Sequence, residues 1–566
     1  MKRDISSLNS KHFDVLIIGA GIAGVCVALD CSQRGLSVAL VERKDFCTAT
    51  SWNSLKILHG GIRYLQHFDI PRLRKSYCER SAFLRIAPHL SRVVPMLMPT
   101  YGHMMKGKEI FIIALSILRF LTVDKIGILE NSPHKIPFGG LLSNKNVRER
   151  LPFIKKENLT GAGVFYDGQI VNPFRLILSI LRSAVELGAT VANYCEITDL
   201  KVDGNKIIQV KAIDHLTNES FKISSDIVVN ATGPFSNQLV KQLIPSYKGF
   251  NLPLSRDMAF LINKQFDKKY ALALQTCYGD PDALLSRGSR HIFIVPWRDL
   301  TLVGVSSKLY KYNPYDLYVT EQEIVDFLTE INTSFEGDHI SRENIIEVYA
   351  GLLPCEGQES QSGNVSYGKR SLIIDHNEDI GIKNLITTAT VRLTMGRAVA
   401  EKTTDKVFLK LKKLSPACRT HLEPIWGGGF SDFNEIRERI SNKLIEIGCN
   451  ININRWVSLY GSEFNEVLNL VKQNQEFKEK ILNSEILKCE VIHAIRNEMA
   501  VSLNDYIVRR SDINETSKLD KNFLDNCSRI FAQELGWNEE RRRSEISRTQ
   551  NNAPDNLNFT IHTSGN

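Results

Sequence analysis

The order of apolar and polar residues predicts a βαβ unit near the start of the chain. Residues 15–18 form a continuous apolar, β-rich run, which is typical of a strand covered on both faces. A helical segment follows over 22–34 and stops at Gly35, a residue that readily takes the left-handed conformation found at helix ends. A second apolar strand then leads to Glu42. The pattern therefore predicts an α/β fold with a buried parallel sheet.

Later segments predict an antiparallel sheet and a helical region. A helix begins at Pro173, a residue suited to the first helical turn. Residues 250–365 alternate β-rich runs with polar turns, and the acidic helix among them starts at a capping box formed by Thr320 and Glu323. This pattern predicts an antiparallel sheet covered by a helix. From about residue 424 onward the chain is mostly helical.

Three glycines give the turn after the first strand a specific chemistry. Gly19, Gly21 and Gly24 have the spacing at which a chain turns sharply, approaches a pyrophosphate and packs a helix against a strand. Glu42 can accept hydrogen bonds from an adenosine ribose. The glycine motif alone is weak evidence, but strand, glycines, helix, strand and acid occur here in order. We therefore predict a site for an adenine dinucleotide.

Composition and charge exclude several other classes of protein. The net charge of +8 is spread over 566 residues without a long basic block, so it does not indicate a nucleic-acid partner. The eleven cysteines form no Cys-x-x-Cys motif, and no Cys/His cluster has zinc spacing, so we predict no metal site and a reducing, cytoplasmic location. The polar residues 1–12 do not resemble a signal peptide.

The most membrane-like segment of the sequence is 110–123. It is too short to span a bilayer and is interrupted by Arg119. A buried helix is the interpretation that we favour. Contact with a membrane surface by a helix that does not cross it is the alternative.

The segment 50–65 carries a motif that points to one family. It reads Thr-Ser-Trp-Asn-Ser-Leu-Lys-Ile-Leu-His-Gly-Gly-Ile-Arg-Tyr-Leu. This segment resembles the Thr-Ser-x-x-Ser-x-Lys-x-x-His-Gly-Gly-x-Arg-Tyr-Leu motif of FAD-dependent glycerol-3-phosphate dehydrogenases, which are flavoproteins of the D-amino-acid-oxidase-like superfamily. Every fixed position of the motif is met. The resemblance continues in the segments 79–90, 167–176, 459–462 and 498–510.

The resemblance implies a fold and a division into domains. We expect a Rossmann-like FAD-binding domain of the glutathione-reductase or D-amino-acid-oxidase type, an antiparallel β substrate domain and a helical C-terminal domain. The FAD-binding domain is expected over 13–95, 145–250 and 365–412, the substrate domain over 96–144 and 251–364, the helical domain over 420–545, and a disordered tail over 549–566.

The family resemblance also implies which residues hold FAD without a covalent bond. They comprise the glycine turn, the ribose-binding acid, the 50–61 motif, one strand residue and the turns near 232 and 394. These residues are Gly19, Gly21, Ile22, Ala23, Gly24, Glu42, Arg43, Thr50, Ser51, Ser54, Lys56, His59, Gly60, Gly61, Ile197, Ala231, Thr232, Gly233, Leu393, Thr394 and Met395.

The expected substrate site departs from the family pattern. Met258 stands where the family has a histidine, Leu353 replaces a phosphate-binding arginine, and Ser307 replaces an acid. Arg256, Arg287 and Arg290 are alternative sources of positive charge. The candidate catalytic residues are Arg63, Tyr64, Arg392 and His59, and Asp257 and His291 are further candidates for the proton-accepting base.

These observations leave three functional hypotheses. The first is an FAD-dependent dehydrogenase that oxidises glycerol 3-phosphate or a related small alcohol by hydride transfer to flavin N5. The second is an enzyme of the same fold retuned to a non-phosphorylated alcohol or amine, and the third is a non-catalytic flavin-binding protein. Quinone or oxygen is the expected electron acceptor. Contact with the inner face of the membrane and a homodimer are further expectations that the sequence leaves open.

Overall fold

A computed structural model describes residues 1–67, 69–103, 107–130, 132–279, 289–359, 365–367, 371–513, 520–551 and 560–562. Within these residues the strands form two large sheets and one two-stranded sheet. The segment after residue 432 is a bundle of helices. The predicted α/β architecture, with a second sheet and a helical C-terminal domain, is confirmed.

The first sheet is built on the predicted βαβ unit. Its strand His12–Ile18 lies between two parallel neighbours, Glu219–Asn230 and Val38–Val41. The apolar residues of these central strands are buried, as expected for a sheet with helices on its faces. Within the described residues its strands are Leu372–Asp375, Leu385–Ala389, Glu219–Asn230, His12–Ile18, Val38–Val41 and Thr190–Ala192, with Cys195–Asp203 and Lys206–Asp214 as an antiparallel extension.

The second sheet is largely antiparallel and has two different faces. Leu261, Trp297 and Tyr349 share a core with the helices of the first sheet, whereas Met258 and Phe260 pack toward the helix Glu321–Asn332. Its described strands are Val365–Tyr367, Ile345–Glu359, Leu254–Ile262, Leu300–Tyr310, Ser289–Trp297, Ala271–Gly279, Ser91–Tyr101, Leu159–Ile170, Ile57–Leu58 and Gly140–Ser143.

The helices fall into two groups. Those that cover the sheets or connect their strands are Ile5–Ser10, Ile22–Gln33, Ile70–Ile86, Lys108–Thr122, Asn144–Arg150, Pro173–Glu186, Ser236–Leu243, Glu321–Asn332, His376–Asp379 and Gly396–Leu411. Those of the C-terminal domain are Phe433–Glu446, Ile453–Tyr460, Phe464–Gln473, Lys488–Glu498, Asp505–Arg510, Lys521–Leu535 and Glu539–Asn551. Pro173 begins its helix and the capping box at Thr320 is present, both as predicted.

Buried ion pairs attach the helical C-terminal domain to the first sheet. Arg175 donates to both carboxylate oxygens of Glu498, at 2.9 and 2.8 Å. Arg510 donates to Asp45 Oδ1 at 2.8 Å. His89 is buried at the same boundary, where a Cβ atom on Gly427 would lie only 2.7 Å from its Nε2. The two domains are therefore joined by charged and polar groups that solvent does not reach.

Three strands of the second sheet come from segments that the predicted domain boundaries divide. The strands Ile57–Leu58 and Leu159–Ile170 fall within the predicted FAD-binding domain and Ser91–Tyr101 crosses its boundary at residue 95, and all three lie in the second sheet. The reason is their mutual pairing, because Leu159–Ile170 is bonded antiparallel to both of the other strands. Strand order in a sheet depends on such long-range pairing, which the local pattern of apolar residues does not contain.

The prediction of a buried helix over 110–123 is wrong. The helix Lys108–Thr122 forms, and Phe111 and Leu115 pack into the core. The opposite face is exposed, and it includes Ile113, Ile117 and Phe120, the last of which is 78% exposed. We define the exposed residues Ile112, Ile113, Ile117, Phe120 and Val123 as the apolar stripe. No helix in the described ranges is both long enough and apolar enough to cross a membrane.

Two described stretches of the predicted tail over 549–566 have regular secondary structure. The helix Glu539–Asn551 extends past residue 549, and Thr560–His562 forms a strand. That strand runs parallel to Tyr318–Thr320, and the backbone N–H of Thr560 donates to the carbonyl of Leu317 at 3.1 Å. Backbone pairing of this kind depends little on side chains, so the polar composition of the segment did not indicate it.

Candidate functional site

The glycine turn lies where the first strand meets its helix. Gly19 has φ of +104°, a conformation that favours glycine. A Cβ atom on Gly24 would overlap the carbonyl oxygen of Gly19, so the helix approaches the turn as closely as glycine allows. Gly21 caps the helix Ile22–Gln33, whose first turn contains Ala23. The turn therefore exposes backbone N–H groups at a helix N-terminus, where an anion binds favourably.

Glu42 and Ser51 lie against this turn. The Glu42 carboxylate accepts hydrogen bonds from the backbone N–H groups of Ala20, at 2.8 Å, and Lys44, at 3.1 Å. Burial raises the pKa of Glu42, although these two backbone donors act in the opposite direction. The hydroxyl of Ser51 accepts from the N–H of Ile22 at 2.9 Å. The structure thus brings the predicted ribose acid and one motif hydroxyl to the same helix N-terminus.

A second turn closes the other side of the glycine turn. The N–H of Ala231 donates to the carbonyl of Ile18 at 2.9 Å, and a Cβ atom on Gly19 would lie 2.9 Å from the carbonyl oxygen of Ala231. Thr232 and Gly233 continue this turn, and Gly233 has φ of +61°. The predicted residues Ala231, Thr232 and Gly233 therefore border the same space as the glycine turn, and we call this space the nucleotide cradle.

Two further predicted residues lie near the outer end of the same cradle. Ile197 is buried in the same hydrophobic core as Ile18 and Val41. The Arg43 guanidinium lies 5.2 Å from the Phe235 ring centroid and 4.7 Å from that of Tyr315. Ile197 therefore contributes packing, and Arg43 contributes a cation at the end of the strand that carries Glu42.

The turn of Leu393, Thr394 and Met395 packs on the same helix as the glycines. A Cβ atom on Gly396 would overlap the Ile22 side chain, so the helix Gly396–Leu411 begins in contact with the glycine-turn helix. Behind the turn, Arg397 Nε donates to Glu79 Oε2 at 2.8 Å. A buried ion pair thus fixes the start of this helix to the helix Ile70–Ile86.

His59, Gly60 and Gly61 are organised by one buried acid. Asp167 Oδ1 accepts from the backbone N–H of Gly60 at 2.7 Å, and Asp167 Oδ2 lies 3.4 Å from His59 Nδ1. Arg80 Nη1 lies 3.3 Å from the same carboxylate. A Cβ atom on Gly60 would overlap Arg80, so only glycine fits there. Asp167 therefore holds both the diglycine backbone and one side of the His59 ring.

The predicted residues Thr50, Ser54 and Lys56 connect this segment to the second sheet. The Thr50 hydroxyl donates to the carbonyl of Leu352 at 2.9 Å, and the Ser54 hydroxyl accepts from the Lys56 N–H at 3.2 Å. The Lys56 ammonium lies 4.3 Å from the ring centroids of both Trp297 and Tyr349. Lys56 is 2% exposed, so its cation is held in an aromatic cage at the junction of the two sheets.

The second sheet presents a row of residues from three neighbouring strands. Asp257 pairs with Ser307 on one side and with Gly351 on the other. A Cβ atom on Gly351 would lie 3.1 Å from Thr50 Cγ2, so this row faces the 50–61 segment. Met258 is buried on the opposite face, where side chains pack toward the helix Glu321–Asn332. Of these two neighbours, Asp257 is therefore the one directed toward the site.

The arginines proposed as substitutes for the missing phosphate ligand are engaged elsewhere. Arg256 pairs with Glu323 and donates to the carbonyl of Tyr318 at 2.8 Å. Arg290 lies 3.4 Å from Glu330. Arg287 lies outside the described residues, and so does the side chain of Arg63, whose backbone belongs to the short helix Ile62–His67.

Tyr64 lies between two guanidinium groups. The Cζ atom of Arg72 is 4.5 Å from its ring centroid, and that of Arg392 is 5.3 Å away. Burial lowers the pKa of Arg392; Tyr64 acts in the opposite direction, and the Arg72 cation adds to the lowering. Sequence reasoning identified Tyr64 and Arg392 but missed Arg72 and Asp167. Asp167 lay in a segment that supported the family resemblance, whereas nothing in the sequence distinguished Arg72 from a surface arginine.

The described residues contain no group of three or more His, Cys, Asp or Glu side chains arranged to hold a metal ion. His291 lies on the strand Ser289–Trp297 of the second sheet. The turn of Leu393, Thr394 and Met395 joins the nucleotide cradle, the His59 segment and the Tyr64 cluster, because it directly follows Arg392, contacts the strand Ile57–Leu58 and leads into Gly396 against the glycine-turn helix.

Comparison with known proteins gives matches over nearly the whole chain. Residues 14–404 match the family model of FAD dependent oxidoreductases (DAO), and residues 418–542 match the C-terminal domain of alpha-glycerophosphate oxidase. An aerobic glycerol-3-phosphate dehydrogenase of Staphylococcus aureus is 31% identical, over 89% of this chain and 87% of that protein. A glycerol-3-phosphate dehydrogenase of Synechocystis is 27% identical, over 98% of this chain and 99% of that protein.

A solved structure shares the fold. The glycerol-3-phosphate dehydrogenase from Bacillus halodurans, complexed with FAD, superposes with a TM-score of 0.75 at 24% identity. The superposition covers 97% of this chain and 96% of that one. The likeness extends over both sheets and the helical C-terminal domain.

Proposed function

The chain belongs to the family of FAD-dependent oxidoreductases, and on that premise we propose that it oxidises glycerol 3-phosphate to the corresponding ketone. One observation carries this proposal: the dinucleotide cradle is continuous with a half-exposed histidine, His59, that is held by a buried carboxylate, Asp167. The names of the S. aureus and Synechocystis relatives support the same substrate.

The residues present in the cradle fit FAD. The close packing of Gly24 on Gly19 sets the helix N-terminus directly at the turn, where a pyrophosphate can approach the backbone, and Glu42 presents a carboxylate at the position suited to the ribose. Leu393, Thr394 and Met395 precede the helix Gly396–Leu411, whose N-terminus favours negative charge. When bound, FAD supplies an acceptor for the hydride of the substrate C–H bond.

His59 is the group that we assign to the substrate hydroxyl proton. Asp167 lies next to Nδ1, so it favours the tautomer with the proton on Nδ1 and leaves Nε2 as the acceptor. Asp257 is a second carboxylate on the side of the sheet that faces this segment. Met258 is buried on the opposite face of the sheet. The absence of a histidine at this position therefore does not remove a proton acceptor from the site.

The replacement of the phosphate-binding arginine by Leu353 favours one alternative function. A leucine donates no hydrogen bond, and loss of a charge-assisted donor to a phosphate lowers affinity by about 10- to 100-fold. The alternative is therefore oxidation of a small alcohol or amine that lacks a phosphate. A flavin-binding protein without catalytic activity is the remaining hypothesis.

One experiment distinguishes these functions. The purified yellow protein is mixed anaerobically with glycerol 3-phosphate, glycerol or a panel of small alcohols and amines, and the flavin absorbance near 450 nm (about the usual maximum of oxidised flavin) is followed. Bleaching by micromolar glycerol 3-phosphate (about the usual range of KM) supports the proposal. Bleaching only by a neutral compound would establish the alternative, and a spectrum that no compound changes would favour the non-catalytic protein.

We further propose that the enzyme works in the cytoplasm against the inner face of a membrane and transfers its electrons to a quinone. The apolar stripe supports this placement, because large apolar side chains rarely cluster on a free surface. Lys108, Arg119 and Lys125 lie on or beside the same helix and suit an anionic lipid surface. The eleven cysteines of the sequence form no Cys-x-x-Cys motif, which favours a reducing compartment.

Binding to vesicles tests this placement. The holoenzyme should co-sediment with vesicles that contain anionic lipid, and Phe120→Glu should abolish most of the binding while leaving flavin bleaching by substrate unchanged. Ile445→Glu, which changes an exposed apolar residue of the C-terminal domain, is the matched control. Equal vesicle binding by all three proteins would contradict the membrane contact. Sedimentation of the same samples without lipid tests the expected homodimer.

A further inference from the structure

Two arginines beside Tyr64 have no acidic partner. Arg72 and Arg392 flank the Tyr64 ring, and among the described residues neither makes an ion pair with a carboxylate. The Nε atoms of both side chains are buried and lack a hydrogen-bond partner within the same residues. Both guanidinium groups are thus partly withdrawn from water without a counter-charge.

The buried arginines elsewhere in the protein differ from this pair in having an acidic partner. Among the described residues, each arginine that is buried has a carboxylate within ion-pair distance. These pairs are Arg34 with Asp30, Arg80 with Asp167, Arg175 and Arg182 with Glu498, Arg256 with Glu323, Arg397 with Glu79, and Arg509 and Arg510 with Asp45. An arginine that is desolvated without such a partner is unfavourable unless a ligand completes the site.

The location of the pair connects it to the site. Tyr64 Cδ2 would lie 3.0 Å from a Cβ atom on Gly61, so the Tyr64 ring packs directly on the diglycine segment next to His59. Arg392 immediately precedes the Leu393–Met395 turn, which packs near the glycine-turn helix. Arg72 lies in the first turn of the helix Ile70–Ile86. Three separate elements therefore bring two cations and a phenol to one point.

We propose that Arg72 and Arg392 form a clamp for the anionic group of the substrate, a phosphate monoester. Two guanidinium groups offer the several charge-assisted donors that a phosphate dianion needs. Arg72 thereby supplies the positive charge that Leu353 does not. The clamp rests on the proposed oxidation of glycerol 3-phosphate, because it assigns the residue that recognises the phosphate of that substrate.

The test compares Arg72→Gln with Arg74→Gln. Arg74 lies on the same helix but pairs with Asp124 at 2.5 Å, so it is a matched loss of charge away from Tyr64. Arg72→Gln should raise KM for glycerol 3-phosphate about 30- to 100-fold, with a smaller change in kcat, and Arg72→Lys should restore part of the affinity. Arg74→Gln should match the unchanged protein. Flavin content, read from absorbance, verifies that each variant is folded.

A binding measurement separates this proposal from the proposed function. Inorganic phosphate is titrated into the oxidised holoenzyme, and the change in the flavin spectrum or in the thermal midpoint is followed. Phosphate binding that is lost in Arg72→Gln supports the clamp even if glycerol 3-phosphate does not bleach the flavin, and in that case only the proposed substrate fails. Equal KM values and equal phosphate binding in Arg72→Gln and the unchanged protein would overturn the clamp.

Discussion

The interface between the domains contains buried arginines and the candidate site contains half-buried ones, and their surroundings differ. At the interface Arg175 donates hydrogen bonds to both carboxylate oxygens of Glu498, and both side chains are at most 1% exposed. At the site Arg72 and Arg392 face an aromatic ring and, among the described residues, no carboxylate. The comparison separates two uses of one residue type: an arginine with an internal counter-charge holds the fold together, and one without it is available to a ligand.

The largest effect is expected from removing a counter-charge at the interface. Burial alone would raise the pKa of Glu498, but Arg175 and then His493 hold it well below its usual range. Glu498→Gln leaves Arg175 and Arg182 buried without their common partner and should cost about 3–5 kcal/mol of unfolding free energy. Denaturant unfolding measures this loss. Glu479→Gln, which breaks an exposed pair with Lys488, is the control and should change little.

Asp167 shares features with both regions. It pairs with a buried arginine, Arg80, as the acids of the interface do, and it also holds His59 and Gly60 at the candidate site. If its main role is in catalysis, Asp167→Asn should lower kcat about 100-fold and shift the pH profile of kcat. Steady-state kinetics at several pH values provide the measurement. A loss of stability with an unchanged pH profile would instead place Asp167 with the structural acids.

The pH dependence of stability tests the contribution of His89, which is buried at the interface between the domains. Burial lowers the pKa of His89 to about 3. Below about pH 6.5, the ordinary pKa of histidine, the unfolded chain binds a proton that the folded chain excludes. Stability should therefore fall as the pH decreases from about 6.5 toward 3, by about 1.4 kcal/mol per pH unit for this residue.

The variant His89→Asn isolates this contribution from those of other buried histidines such as His134 and His493, whose pKa values burial also lowers. Unfolding midpoints at pH 7.5 and 5.0 are compared in both proteins. The variant should be less stable at the higher pH but should lose less on acidification. Parallel decreases in the two proteins would assign the acid sensitivity to other groups.

The smallest change in stability is expected at the site itself. Without an anion, the contribution of Arg72 to stability is its cation–π contact with Tyr64, so Arg72→Gln should lower the unfolding free energy by no more than about 1 kcal/mol in phosphate-free buffer. Denaturant unfolding beside Glu498→Gln gives the direct contrast. A loss comparable to that of Glu498→Gln would mean that Arg72 is a structural arginine.

The sequence predicted the parts of the site that depend on local spacing. Gly19, Gly24 and Glu42 lie within one βαβ unit, so their positions follow from the order of strand, turn and helix. Asp167 is 108 positions from His59, and only the antiparallel pairing of Ile57–Leu58 with Leu159–Ile170 brings them together. Local patterns do not contain such pairing.

The apolar stripe shows a second limit of sequence reasoning. The helix over Lys108–Thr122 was predicted, but whether its apolar residues face the core or solvent depends on what packs against it. Phe111 and Leu115 are buried in the core formed with other elements, whereas Phe120 is exposed. The apolar residue types therefore predicted the helix correctly, but they wrongly predicted that its exposed face is buried.

The ion pair between Asp45 and Arg510 links retention of the cofactor to attachment of the C-terminal domain. Asp45 follows the predicted ribose-binding acid Glu42 by three positions, and its partner belongs to the C-terminal domain. If the loop holds the adenosine end as proposed, detachment of that domain would free it, so retention of the cofactor and attachment of the domain would reinforce each other. Saturation with FAD should accordingly protect the C-terminal helices from proteolysis, and heat should release the yellow colour and undock that domain as a single event.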